Sequence, residues 1–329
     1  MKPLARLARR PEMATALALA VLVALAAARY PGFLSARVAL DLFGDNAVLG
    51  LAALGASVVI LSGGIDLSVG AVMACASILL AILVGPLGWP IAGAIAAVLA
   101  LGAAYGLAMG VLIQGLALPA FVVTLAGLFL ARGIALRLHL ESLPIARADW
   151  TALSRSGVEL GPGLRLSAGA MLFLAATAVA AWILGQTRLG RNVYAVGGNT
   201  EAALLAGVPV ARTRVAVYGV AGFASALAGV AYALYASSGS STAGAGLELE
   251  AIAAAVIGGT RLAGGVGTTV GTLLGVMVFG VVQTVLIFEG TLGAGWTRVA
   301  IGALLLAFIA LQRARSWARG RGMPGEAAG

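Results

Sequence analysis

The chain has 329 residues, of which 61% are hydrophobic and only 10% are charged, and it carries a net charge of +9. Globular domains carry about 25% charged residues, and a soluble domain of this length could not bury so much apolar surface in one core. The composition therefore excludes an ordinary soluble protein and requires lipid as part of the solvent. The 47 glycines suit close helix packing in lipid, although GC-rich coding would also explain them.

The hydrophobic segments are unbroken runs, which is typical of membrane-spanning helices and not of the alternating strands of a barrel. We expect an all-α, polytopic transmembrane bundle of about ten spans with glycine-interrupted helices, forming a single domain over residues 1–329. The predicted spans, in chain order, are 13–28, 46–61, 69–84, 91–113, 119–138, 168–185, 215–235, 251–259, 266–288 and 296–311. The short run 251–259 could instead be re-entrant, which would move the C-terminus to the other side of the membrane.

The excess positive charge is confined to segments 1–12, 186–214 and 313–329, which hold twelve basic and three acidic residues. These residues account for the whole net charge of +9. Basic segments that flank spans mark the cytoplasmic side, so the pattern indicates orientation and not nucleic-acid binding. We expect both termini and the 186–214 loop to be cytoplasmic, the 139–167 loop to be external, and the number of crossings to be even. The first span also has features of a cleaved signal peptide, but its removal would make that number odd, and we expect it to be retained.

Two glycine-rich segments interrupt the hydrophobic pattern at corresponding places in the two halves. The aligned positions are Gly63, Gly64, Asp66 and Gly70 in the first segment, and Gly258, Gly259, Arg261 and Gly265 in the second. Interrupted segments of this kind point to the working region of a membrane transporter, and a carboxylate at membrane depth is paired or functional by default. The two segments are therefore candidates for a gate, in which Asp66 and Arg261 could neutralise each other. Asp66 could equally cap the next helix from a tight turn, and the match could be chance in a glycine-rich chain.

The largest basic loop contains the run Glu201-Ala202-Ala203-Leu204-Leu205-Ala206-Gly207. Alanine, leucine and glutamate favour a short helix, and Gly207, followed by Pro209, is expected to end it. Such a helix could lie on the membrane surface or dock into a groove of a soluble partner. The spacing alone does not choose between these two.

The Glu-Ala-Ala-x-x-x-Gly pattern at 201–207 resembles the docking motif of the permeases of ATP-binding-cassette (ABC) importers. Segments 61–70, 194–199 and 248–260 are similar to the branch that imports ribose, xylose, arabinose and galactose, and the similarity covers roughly residues 30–313. Blocks 121–127, 141–145 and 290–313 are most similar to the smaller permeases of bacterial galactofuranose importers.

This resemblance implies a permease of the bacterial inner membrane that imports a monosaccharide. Galactofuranose is one candidate for that sugar. The implied partners are a cytoplasmic ATP-binding-cassette ATPase, a periplasmic sugar-binding protein and a second permease chain, identical or homologous. The residues that would couple the chain to the ATPase are Glu201, Ala202, Ala203 and Gly207.

The sequence lacks the residues that a disulfide, a metal site or an ATP-binding loop would require. Cys75 and His139 are each the single residue of their type, so we expect no disulfide and no metal site. A phosphate-binding loop needs a lysine, and the one lysine, Lys2, has no such loop before it. We therefore expect no cofactor and no enzymatic activity, with ATP hydrolysis on a separate subunit. The alternatives are a proton-coupled secondary transporter for a small solute and a passive channel, although no row of membrane carboxylates suggests a proton relay.

Overall fold

The computed structural model describes residues 12–290 and positions 295, 296, 299, 302, 303 and 306. The helices are α1 (Glu12–Arg29), α2 (Ala36–Asp45), α3 (Ala47–Leu61), α4 (Val69–Val84), α5 (Ile91–Gly115), α6 (Ala120–Leu138), α7 (Ala148–Ser154), α8 (Ala168–Gln186), α9 (Arg188–Gly198), α10 (Thr200–Leu205), α11 (Val210–Ala236), α12 (Leu247–Ile257) and α13 (Thr269–Glu289). The strands are β1 (Leu143–Pro144), β2 (Gly157–Gly161), β3 (Leu164–Ser167) and β4 (Ser238–Gly239). The predicted span 296–311 and the predicted cytoplasmic segments 1–12 and 313–329 lie entirely or mostly outside the described residues.

The predicted class, a polytopic helical membrane protein, is confirmed. Within the described part of the chain, six helices are long and apolar enough to cross a membrane, namely α1, α5, α6, α8, α11 and α13. The number becomes seven if α2 and α3, which meet at a 55° bend, form one span. The expected count of about ten is not supported, because α3, α4 and α12 have only 15, 16 and 11 residues. A lipid-facing helix needs about 20 residues to cross the hydrocarbon layer.

The short helices α3 and α4 form the centre of the bundle and not its lipid-facing wall. Every residue of α3 except Val48 is buried, and only Cys75, Leu79 and Ile82 of α4 are not. Helix α11 packs against both of them and against α5, while α12 and α13 cover another side of α3. Because protein surrounds these helices, lipid does not dictate their length.

Helices α5 and α11 touch backbone to backbone along a stripe of glycines. Gly102, Gly106 and Gly110 are spaced four residues apart and therefore lie on one face of α5. A methyl group at Gly106 would overlap the carbonyl oxygen of Tyr218, and one at Gly102 would overlap that of Gly222. At these positions glycine is required by packing, as expected for helices that associate in lipid.

The loops gather at two ends of the bundle. Segments 62–64, 116–119, 187–209 and 258–268 lie at the end that carries the arginine-rich loop, which we call the basic end. Here the Gly265 N–H donates to the Leu61 carbonyl at 2.9 Å. Segments 85–90 and 139–167 and the turn at Ser237 lie at the opposite, distal end, where the Ile145 N–H donates to the Ser237 carbonyl at 2.9 Å.

The distal end carries the strands. Strand β1 pairs antiparallel with β4, and β2 pairs antiparallel with β3 in a hairpin. The Arg147 guanidinium donates to the carbonyl of Trp89 at 2.7 Å and to the carboxylate of Asp149, with 3.0 Å between Nε and Oδ1. The hydrogen bond from Arg147 lowers the pKa of the Asp149 carboxyl. Trp150, fully buried, anchors α7 against the bundle.

Candidate coupling and gate region

The predicted short helix of the basic loop is present as α10. The Asn199 side chain accepts the N–H of Ala202 at 2.9 Å and so caps its start. At the other end Gly207 has a φ of +78°, and its N–H and that of Val208 donate to carbonyls three and five residues earlier, each at 3.0 Å. This is the Schellman arrangement, which favours glycine because of the left-handed backbone. The prediction that Gly207 ends the helix is confirmed.

The residues of α10 divide between packing and exposure. Ala203 is buried against Val196 and Val210, whereas Glu201, Ala202 and Gly207 are exposed. The two leucines that follow Ala203 are also exposed, Leu204 by 64% and Leu205 by 90%. Sequence reasoning did not single out these leucines. The sequence did contain a signal for their exposure. Successive residues of a helix are rotated by 100°, so the two residues that follow the inward-facing Ala203 are turned away from the bundle.

Helix α3 ends in the same way as α10. Gly63 has a φ of +81°, and the N–H groups of Gly63 and Gly64 donate to carbonyls three and five residues earlier, at 2.9 and 3.0 Å. The first glycine-interrupted segment is therefore a helix C-terminus whose geometry needs a residue without Cβ at position 63.

Helix α12 repeats this cap in the second segment, but one residue out of the expected register. Gly259 has a φ of +96°, and its N–H and that of Thr260 donate to carbonyls three and five residues earlier, at 2.9 and 3.0 Å. Gly259 is therefore the counterpart of Gly63. Gly258 is a packing residue, because a methyl group there would overlap the carbonyl oxygen of Gly271 in α13. The two segments therefore share the same helix-ending turn. When Gly63 is aligned with Gly259, Asp66 no longer aligns with Arg261.

The two glycine-interrupted segments meet at the basic end, together with the end of α9. We call the contact of 61–64, 197–198 and 263–267 the glycine junction. A methyl group at Gly197 would overlap the carbonyl oxygen of Leu61, so no side chain separates α9 from α3. The Tyr194 hydroxyl donates to the carbonyl of Gly267 at 2.9 Å. Burial raises the pKa of the Tyr194 phenol, so it remains a protonated donor at neutral pH.

Asp66 and Arg261 lie in very different surroundings. Asp66 is 4% exposed, and its Oδ1 accepts the N–H and the hydroxyl of Ser68 at 2.8 and 2.7 Å, directly before α4. Arg261 is exposed, and its backbone N–H closes the next loop by donating to the carbonyl of Val266 at 2.9 Å. No ion pair joins the two side chains. The expected mutual neutralisation is absent, and Asp66 instead fixes the turn before α4 by binding Ser68, the N-cap residue of that helix.

Gly70 lies apart from the glycine junction, in the first turn of α4. A methyl group there would overlap the carbonyl oxygen of Gly244 and crowd the carboxylate of Glu248. Gly70 thus permits close approach of the segment that follows α11.

A cavity of about 330 Å³ opens beside the glycine junction. Its lining includes Ser62, Gly63, Gly64, Gln114, Arg214 and Tyr218. This volume falls within the range of small-molecule sites, about 300–1,000 Å³. In the part of the chain that the structure describes, no group of three or more His, Cys, Asp or Glu residues is arranged to hold a metal ion.

The described part of the chain is thus a helical membrane bundle with an exposed short helix, α10, close to a tight backbone contact between glycines. The chain belongs to the family described as "Branched-chain amino acid transport system / permease component", whose model matches residues 38–309. No solved structure was found to match the chain.

Curated relatives define the branch more closely. The inner membrane ABC transporter permease protein YjfF of Escherichia coli K12 is 43% identical over 87% of this chain and 86% of the relative. The ribose import permease protein RbsC of Bacillus subtilis 168 is 38% identical over 91% and 92%. The fructose import permease protein FruG of Bifidobacterium longum NCC 2705 is 32% identical over 86% and 83%.

The chain is therefore a member of the ABC sugar permeases and a transport subunit, not an enzyme. Membership of this family implies, in general terms, an ATPase and a substrate-binding protein as partners. It does not favour the proton-coupled alternative.

Proposed function

We propose that this chain is the permease subunit of an ATP-driven importer that moves a monosaccharide across the bacterial inner membrane into the cytoplasm. The main observation behind this proposal is the exposed apolar surface of α10. It presents Leu204 and Leu205 to solvent at 64% and 90% exposure, and it continues directly from α9, which contacts both glycine-interrupted segments. A cytoplasmic ATPase that covered these leucines would bury apolar surface and hold the end of α9.

The glycine junction would transmit the motion of that ATPase. Gly197 lies directly on the Leu61 carbonyl, so a displacement of α9 must move the end of α3. The left-handed glycines Gly63, Gly264 and Gly265, with φ of +81°, +88° and +72°, can absorb backbone rotation in the manner of a hinge. Glu201, Ala202 and Gly207 would contact the ATPase, and Ala203 would fix the helix to the permease. Gly63, Gly64 and Gly259 would form the hinge. Asp66, Gly70 and Gly258 would support the gate, and Arg261 would support it only through its backbone N–H, which closes the 261–266 loop.

The orientation proposed from the charges places the basic end and both termini in the cytoplasm and the 139–167 loop outside. We propose that some crossings within this arrangement are interrupted. After the turn at Ser237 the chain runs back along α4, because Gly239 packs on Ser77 and Gly244 packs beside Gly70. Helix α12 then reaches the basic end. If this path, α4 and the bent pair α2–α3 each count as a crossing, the proposed total with the last segment is ten.

Reporter fusions test this orientation. A topology reporter at residue 150 should indicate the outside, and one at residue 320 should indicate the cytoplasm. Fusions at residue 88 and residue 208 serve as controls, because they lie in the distal and basic ends respectively. The proposed arrangement is overturned if the reporters at 150 and 320 lie on the same side.

The cargo and remaining partners belong to the same proposal. The exposed distal loop with its β2–β3 hairpin would receive a periplasmic sugar-binding protein, and a second permease chain, identical or homologous, would complete the pathway. Ribose and fructose import among the relatives supports a monosaccharide. Galactofuranose is the first sugar to test, because blocks 121–127, 141–145 and 290–313 resemble the smaller permeases of galactofuranose importers.

Reconstitution in vesicles tests the proposed function. Uptake of sugar should require the ATPase subunit, ATP and the binding protein, and it should persist when an ionophore removes the proton gradient. Gly207→Asp, which introduces bulk and charge where φ is +78°, should abolish uptake and co-purification of the ATPase while the chain stays in the membrane. Gly32→Asp is the matched control, since its φ is +85° and an added side chain there meets open space, as at Gly207. Uptake driven by the gradient alone would refute an ATP-driven importer.

A further inference from the structure

The segment 237–246 between α11 and α12 is non-helical backbone inside the bundle. A methyl group on Gly239 would overlap the carbonyl oxygen of Ser77, and one on Gly244 would overlap the end of the Met73 side chain. Gly70, which faces Gly244, lies fourteen residues before the distal end of α4, which corresponds to about 21 Å. Irregular backbone at such depth is tolerated only where protein buries it or where it lines a water-filled space.

Arg132 of α6 holds this segment. Its Nη1 donates to the carbonyls of Ser241 and Ala243 at 2.7 and 2.8 Å. Arg132 is half-buried and lies six residues before the end of α6, about 9 Å along the helix axis. One nitrogen of the guanidinium thus satisfies two backbone carbonyls, and the other two nitrogens remain as donors without a described partner.

Glu248 provides the opposite charge from the first turn of α12. Its Oε2 is shielded from solvent and has no hydrogen-bond partner among the residues that the structure describes. The carboxylate lies against Gly70 and close enough to Arg132 for the two charges to interact. No direct ion pair joins Glu248 to Arg132, so both groups keep hydrogen-bonding capacity.

The surroundings of this pair are partly open. Cys75 on α4 is close enough to Arg132 for their charges to interact and is partly exposed, although residues 71–74 and 76–78 are buried. Thr242 is exposed in the irregular segment. Ionised and hydroxyl groups at membrane depth face a water-filled path or a protein partner and not lipid.

We infer that Arg132 and Glu248 form a substrate-contacting site on the translocation path, specific for a neutral polyhydroxylated solute. The remaining guanidinium N–H groups donate hydrogen bonds to hydroxyl oxygens of the solute, and the Glu248 carboxylate accepts hydrogen bonds from its hydroxyl groups. Because the two charges cancel, the site attracts neither anions nor cations. This inference rests on the proposed function for the identity of the solute, but not for the presence of a wet site.

The native chain carries its own probe, because Cys75 is its single cysteine. The complete importer in lipid nanodiscs is treated with a charged, water-borne methanethiosulfonate, and Cys75→Ala provides the blank. We expect Cys75 to be modified, and saturating transported sugar to slow the modification at least threefold. The sugars used are galactofuranose, ribose and fructose. A Cys75 that stays unreactive with and without ATP overturns the inference.

Glu248→Gln separates a substrate contact from a structural role. We expect sugar uptake to fall at least tenfold while ATPase activity stimulated by the binding protein stays within twofold and the thermal midpoint does not fall, since no hydrogen bond to Glu248 Oε2 is lost. Asp41→Asn, the same loss of a carboxylate at an exposed position of α2 that has no proposed role, should leave uptake unchanged. Wild-type uptake by Glu248→Gln, or a lowered midpoint that explains its loss, overturns the inference.

The two proposals fail in different ways. If the wild-type complex shows no ATP-dependent uptake, the proposed function fails, and Cys75 modification still decides whether the path is wet. If uptake occurs but Glu248→Gln has no effect on it, the proposed function stands and the site is wrong.

Discussion

Truncating Leu205 to alanine tests the docking surface without disturbing the fold. The side chain is 90% exposed in the isolated permease, so its loss removes almost no contact within the chain. In a docked complex the change would remove three buried carbon groups at about 0.8 kcal/mol each, roughly 2 kcal/mol. Since about 1.4 kcal/mol corresponds to a tenfold change, the ATPase should bind about thirtyfold more weakly.

The assay is a titration of labelled ATPase subunit against permease in nanodiscs, with thermal unfolding measured on the same samples. Alanine has the highest helix propensity, so α10 remains formed and its unfolding cannot explain weaker binding. Leu160→Ala, at a residue 59% exposed at the distal end, is the matched control and should change neither quantity. Affinity within threefold of wild type for Leu205→Ala, at an unchanged thermal midpoint, would refute docking through this helix.

Three further tests by substitution follow from the contacts described above. Gly106→Ala should lower the free energy of unfolding by about 1–3 kcal/mol, because its methyl group meets the backbone of α11. Gly93→Ala is the control and should not lower it, because its methyl group meets open space; equal thermal midpoints for the two variants would contradict the glycine stripe. Asp66→Asn should keep the turn with Ser68, because the amide oxygen can accept the same two hydrogen bonds, and Arg261→Gln should be neutral in uptake. The double charge reversal should be no more active than Asp66→Arg alone; recovery of uptake would restore the charge pair. Tyr194→Phe removes one hydrogen bond, about 1 kcal/mol, and should weaken stimulation of the ATPase by the binding protein without weakening ATPase binding; unchanged stimulation would exclude this contact from the coupling route.

The sequence correctly predicted the helices that are defined by their own run of residues. A hydrophobic run is sufficient to define α4, and the predicted range 69–84 equals the observed one. The run of alanine, leucine and glutamate followed by Gly207 is likewise sufficient for α10. The bend at Asn46 was missed because residues 36–45 are amphipathic and were not included in any predicted span.

The predictions about the gate were wrong where the outcome depends on how distant segments pack in three dimensions. The repeated Gly-Gly letters suggested one register, but the left-handed residue is Gly63 in one cap and Gly259 in the other. Opposite charges suggested a pair, but Asp66 is buried and Arg261 is exposed. Arg132 and Glu248 were not considered together, because more than a hundred residues separate them and no local pattern relates α6 to α12.

The irregular segment before α12 has a consequence for how the chain enters the membrane. Helix α12 has 11 residues and carries Glu248 and Glu250 in its first turn. A helix of this length is too short to cross the hydrocarbon layer by itself, and two carboxylates at one of its ends disfavour its insertion as a separate unit. We therefore expect residues 237–257 to take their place in the bundle only after α13, which packs against α12, has been synthesised. Nascent chains that end before α13 would present this segment to membrane proteases, and biogenesis of the permease would be most vulnerable there.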